Sequence, residues 1–114
     1  MSDHEDEILA TIEGSGVVVT LHLHKVTIHQ RGAIAFLTNG PTSDKEIWLD
    51  GVTALQMKKP NLLSNGYLRF IYAGMQGDRP AGRDDNTVWF RRSKWEAFVG
   101  FKEQVERAMR ARRA

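Results

Sequence analysis

No cysteine occurs among the 114 residues. Disulfides, thiol nucleophiles and thiolate-bound metals are therefore excluded together. Proline is scarce at three residues, and tyrosine at two. No apolar run approaches the roughly 20 residues that a membrane-spanning helix needs. The opening Met1-Ser2-Asp3-His4-Glu5-Asp6-Glu7 has neither the basic start nor the apolar stretch of a secretory leader. Together with the lack of cysteine, this leads to the expectation of a cytoplasmic protein. The phosphate-binding patterns G-x-G-x-x-G and G-x-x-x-x-G-K-[ST] are missing as well.

Hydrophobic residues make up 41% of the chain, enough for one globular domain, expected over residues 8–114 behind a flexible acidic tail at 1–7. The formal net charge of +2 hides an uneven distribution. Residues 1–13 hold Asp3, Glu5, Asp6, Glu7 and Glu13 and no Lys or Arg, whereas 14–114 carry sixteen basic and nine acidic residues, a net +7. Such a body attracts anionic partners of several kinds: an acidic protein face, nucleic acid or lipid headgroups.

β-forming segments dominate. Ile8–Ile12 reads as a first, edge strand, closed by Gly14-Ser15-Gly16. Val17–Leu23 and Lys25–Gln30 follow as strands. Val17, Val19, Leu21 and Leu23 share one parity and Val26 and Ile28 the other, so a turn or bulge must intervene near His24. Ala33–Leu37 is a short apolar strand or helical turn, and Lys45–Leu49 is a strand that turns at Asp50-Gly51. Val52–Met57 has no cleanly apolar face, which makes it the weakest of the strands, and Pro60 limits it. Asn65-Gly66 reads as a turn pair before the strand Tyr67–Tyr72. Residues 73–86 form a long loop, and Thr87–Arg91 is the last strand.

Ser93 and Glu96 have capping-box spacing and open a helix expected over about 93–112. Trp95, Phe98, Val99, Phe101, Val105, Ala108 and Met109 recur on one face of it, with the Lys102 stem able to cover carbon. Gly100 costs roughly 1 kcal/mol against Ala, and it either lets the helix approach the sheet closely or is neutral. The expected class is mainly β with a C-terminal α-helix that caps a bent antiparallel sheet.

Four tracts carry a family resemblance. They are Arg31–Leu37, Ile47–Gln56, Asn65–Phe70 and Asp84–Phe90, the last followed by the helix; the pair NGYLRF and DDNTVWF is the most specific. Over roughly residues 14–110 the chain resembles bacterial PH-like domains of the DUF4429 type. The resemblance implies a PH-like, seven-stranded bent sheet or partly open barrel capped by the helix. It implies no catalytic residue and no cofactor, and lipid, peptide and protein ligands are all compatible with it. Longer members append a short oligomerisation motif that these residues do not supply. Small stand-alone versions resemble phage or actinobacterial proteins.

Candidate sites are few. His22 and His24 lie on one side of a continuous strand and at zinc-binding spacing, with His29 or an acid as a third ligand; strand histidines on a solvated or half-buried face are the stronger reading. Asp84 and Asp85 pair as carboxylates, but nothing supplies a nucleophile or orienting partner, and a turn uses such residues for backbone hydrogen bonds. Basic residues are the better signal. Lys58 and Lys59 sit at a strand end, and Arg91, Arg92 and Lys94 at the last strand–helix junction. Arg107, Arg110, Arg112 and Arg113 crowd the helix end, where cations also complement the helix dipole. Nucleic-acid binding would require these groups to converge beside exposed aromatics such as Trp48, Tyr67 or Tyr72, whereas Trp89 and Trp95 are expected in the core. The expected function is a non-enzymatic module that binds a peptide or protein through a sheet edge, the groove beside the helix or the 73–86 loop. Nucleic acid and anionic lipid are the alternative partners, and Ile8–Ile12 is a candidate edge for a homo-oligomer.

Overall fold

The computed structural model describes residues 7–30, 44–73 and 86–113. Their elements are β1 (Ile8–Gly14), β2 (Val17–His22), β3 (Lys25–Gln30), β4 (Asp44–Trp48), β5 (Val52–Lys58), β6 (Gly66–Tyr72), β7 (Thr87–Phe90) and α1 (Trp95–Arg113). Two antiparallel sheets, ordered β1-β2-β3-β4 and β5-β6-β7, face a shared core that α1 covers. The mainly β class with a C-terminal helix is thus the observed one. The sheets do not close into a barrel among the described residues; where β1 nears β7, Ser15 N donates to Trp89 O at 2.8 Å. Ala33–Leu37, Asp84 and Asp85 lie outside the described residues.

Strand parity explains the core. In the β2–β3 hairpin Leu21 pairs with Val26 and Val19 with Ile28, so odd positions of one strand meet even positions of the other. The bend at Leu23-His24 makes that switch, and all four side chains are buried. Leu23, past the end of β2, escapes the core and is exposed. β5 is a strand after all. A register shift between Val52 and Ala54 moves its inward positions from Val52 to Leu55 and Met57, which is why no single parity looked apolar. The chain crosses between sheets through a 3-10 turn, Leu49–Gly51, whose Leu49 is buried and whose Leu49 N donates to His24 O at 2.9 Å.

Three sequence expectations require correction. Asn65-Gly66 is not the turn. Gly66 is the first residue of β6, and the reversal is built at Asn61, whose Oδ1 accepts from Leu63 N at 2.8 Å and Ser64 N at 2.9 Å. The helix does not begin from a Ser93 cap. Ser93 lies inside a 3-10 turn, Arg92–Lys94, that leads directly into α1. Trp89 is half-buried and outward, edge-on to Tyr67 at 5.2 Å, because Val88 and Phe90 take the inward parity of β7.

The helix face behaves as its spacing predicts except at Val99, which is only half-buried and stands outside the core cluster. Phe98, Phe101, Val105 and Met109 are buried, with Trp95 and Ala108 packed beside them. Phe98 stacks on Phe90 with ring centroids 4.1 Å apart. Lys102 pairs with Glu106 at 3.0 Å along the flank.

Gly66 and Gly100 should respond oppositely to alanine. A Cβ at Gly66 would collide with the backbone oxygen of Lys58, whereas one at Gly100 would meet no atom within 4 Å. Gly100 therefore permits no close approach, and Gly100→Ala is expected to stabilise by roughly 1 kcal/mol through helix propensity. Gly66→Ala is expected to destabilise by roughly 1–3 kcal/mol. Urea denaturation with unchanged m-values checks both.

Candidate functional site

β1 is a terminal strand of its sheet. Between its start and the second half of α1 the surface falls into a groove of about 590 Å³. Leu9, Leu21 and Leu23 form one wall and Ala108 and Ala111 the other, with Gln104, Arg107, Arg112 and His24 around them. Leu9 and Leu23 are exposed because each lies outside the regular pairing: Leu9 at the register shift between Ile8 and Ala10, Leu23 in the bend. On the helix, small side chains at Ala108 and Ala111 keep the space open. The volume is within the range of peptide-side-chain and small-molecule pockets.

A polar cluster fixes one end of the groove. Arg112 Nε donates to Asp50 Oδ1 at 2.8 Å, its second terminal nitrogen donates to the same oxygen, and its first donates to His24 Nδ1. A guanidinium has only donors, so in this contact His24 Nδ1 is the acceptor. The Arg112 hydrogen bond is the largest influence on Asp50. It holds the carboxyl below its ordinary pKa against an opposing desolvation effect, with the positive charge of Arg112 helping. The cluster ties the last turn of α1 to the 3-10 corner and the β2–β3 bend.

The basic residues separate into two groups. Arg91 and Lys94 line a smaller polar hollow with Glu13, Ser93 and the Ser15-Gly16 turn. Arg92 lies in the turn between them, and Lys59 Nζ sits 5.6 Å over the Trp95 ring. Lys58 is half-buried and donates to Ser64 Oγ at 3.1 Å. Arg107 and Arg110 are exposed on α1, and Arg107 borders the groove. From Arg92 to Arg107 the helical rise alone is about 22 Å. A single-stranded nucleic acid needs a continuous basic track interleaved with aromatics. Here Trp48 is exposed but has Lys25 over its ring at 5.3 Å, and Tyr67 leans on Trp89.

His22, His24 and His29 do not assemble. His22 ends β2, His24 is in the bend, and His29 lies opposite Val18 near the far end of β3. Among the described residues no three His, Asp or Glu side chains are placed to hold a metal. Sequence reasoning missed Leu9, Leu23 and Asp50 as site residues. Leu9 and Leu23 read as ordinary strand positions, and the Asp50–Arg112 contact spans 62 residues. Compared with family models, curated proteins and solved structures, the chain gives no match.

The depressed Asp50 pKa fixes the sign of an acid effect. The folded state binds this proton less readily than the unfolded chain, whose carboxyl titrates at about 3.9. The stabilisation is therefore fully present above about pH 4 and is lost as pH falls through the lower, folded-state value. Asp50→Asn is expected to flatten this part of the acid-denaturation profile, measured by the far-UV signal against pH beside the unchanged chain.

Proposed function

We propose that this chain is a small, non-enzymatic protein-interaction module of PH-like fold that holds an extended peptide in the groove between β1 and α1. The observation that carries the reading is the groove itself, with leucine and alanine walls, a cationic rim and a terminal strand alongside. Its apolar walls reward burial of one or two anchor side chains. Arg107 stands at the rim, where it favours acidic residues flanking the anchors. A terminal strand offers main-chain hydrogen bonds to an added strand, which supply affinity independently of sequence. The Asp50–Arg112–His24 cluster supports the reading by holding the helical wall in place before any ligand arrives, which lowers the ordering penalty of binding.

Selection of displayed random peptides on the wild-type chain should enrich sequences that combine apolar anchors with Asp or Glu. Ala111 is exposed and borders the groove, so Ala111→Trp fills the space without touching the core. It is expected to weaken the selected peptides by at least about tenfold, or ~1.4 kcal/mol. Arg107→Glu should reverse the preference for acidic flanks. Failure to enrich any sequence, or enriched peptides that bind Ala111→Trp unchanged, would refute the groove as the site.

A further inference from the structure

At the opposite end of α1 from the groove, the structure presents two large apolar side chains to water. Leu62 is 85% exposed and Leu63 97% exposed, side by side at the tip of the β5–β6 loop. The tip is built to hold them there. Asn61 Oδ1 accepts from Leu63 N, Ser64 N and Ser64 Oγ, and Asn61 N donates to Ser64 O at 3.0 Å. Lys58 Nζ braces the loop through Ser64 Oγ, and buried Pro60 seats its base. The pairing of Gly66 with Phe90 sets this loop beside the β7–α1 junction, and the Ser15–Trp89 bond brings the β1–β2 turn to the same end. Lys58, Lys59, Arg91, Arg92 and Lys94 therefore share that end with Glu13 and Glu96, and the strand register places Asp44 in the same cross-strand row as Glu13.

We propose that this end of the molecule is a membrane-contact surface: Leu62 and Leu63 insert into the interface of an anionic bilayer while the surrounding Lys and Arg side chains face its headgroups. Charge complementarity selects this occupant. On a second copy the β1–α1 groove would have to receive the leucines, and Arg107, Arg112 and His24 surround it. Bringing Lys58 and Lys59 there sets cation against cation. Two side chains at a loop tip also give far less than the roughly 800 Å² per partner of a stable protein interface. A bilayer needs no matching shape. It takes apolar tips at the headgroup–acyl boundary and attracts each juxtaposed Lys or Arg. The contact is peripheral, since no helix among the described residues is long and apolar enough to cross a membrane.

Vesicle flotation tests this directly, with phosphatidylcholine alone and with phosphatidylcholine mixed with phosphatidylglycerol. The wild-type chain is expected to float with the anionic vesicles, to remain largely free with the neutral ones, and to dissociate as salt rises. Leu62→Ser with Leu63→Ser is expected to lower anionic-vesicle partitioning by roughly tenfold or more, with the melting temperature unchanged because neither side chain is packed. The chain has no cysteine, so Leu63→Cys accepts a single environment-sensitive dye. Its emission should shift to the blue on anionic vesicles, whereas a dye at Glu103→Cys, on the exposed side of α1, should not shift. Absence of wild-type flotation, equal flotation of the double variant, or a dye at Leu63 that stays in water on bound protein overturns the proposal. So does a concentration-dependent dimer that the double variant abolishes, since the leucines would then be a protein contact. Ala111→Trp should float normally, so failure of the groove and failure of the loop tip are separable.

Discussion

Everything else in this fold depends on the apolar face of α1 lying across the mouth between two small sheets. The helix touches β1, β6 and the 3-10 corner, so it reaches both sheets at once. Phe98 is the keystone residue, fully buried and stacked on Phe90 of β7. Truncating a buried Phe typically removes about 3–5 kcal/mol, a large part of the roughly 5–15 kcal/mol that holds a domain of this size folded. Neither sheet has the strands to bury its inner face alone. With the stripe from Trp95 to Met109 committed to that task, α1 has no second apolar face to offer a membrane or a partner helix. Binding surfaces must come from what the closure leaves over, namely the helix flanks, the terminal strand and the loop tips.

That constraint also says which parts of the structure could be read from the sequence. Periodicity reports burial, so the helix stripe and the inward residues of β2 and β3 were legible in the spacing of Val, Ile, Leu and Phe. The parity conflict between Val17–Leu23 and Val26–Ile28 correctly demanded a turn. β5 resisted because its register shift between Val52 and Ala54 breaks the alternation midway, and spacing alone carries no sign of a bulge. Trp89 misled because hydrophobicity was weighed above parity: Val88 and Phe90 already fixed the inward face, leaving Trp89 to lean on Tyr67. Ser93 and Glu96 matched a local capping motif, but the chain leaves β7 through a 3-10 turn, and such a choice depends on how strand and helix must meet in space.

The site was less legible than the fold, for a different reason. Its residues are exceptions to periodicity rather than examples of it. Leu9 sits at a register shift, Leu23 in a bend, and Leu62 and Leu63 in a loop, so none belongs to a pattern that marks it as exposed. The basic residues were visible individually, but whether they converge is a property of topology. Gly66 opposite Phe90 brings Lys59 to Arg91, Arg92 and Lys94, while the length of α1 carries Arg107 and Arg110 away from them.

The separation of the two ends is itself consequential. Trp95 and Ala108 are about 20 Å apart along the helix, so a peptide in the groove and a surface at the loop tip do not compete for space. Both ends are nevertheless cationic, and the apolar tip of one molecule meets like charge at the groove of another. Head-to-tail association of a knob with a recess is the usual route from one exposed apolar pair to an open polymer. Here the Lys and Arg residues around both elements oppose that route while leaving each free to engage an anionic partner.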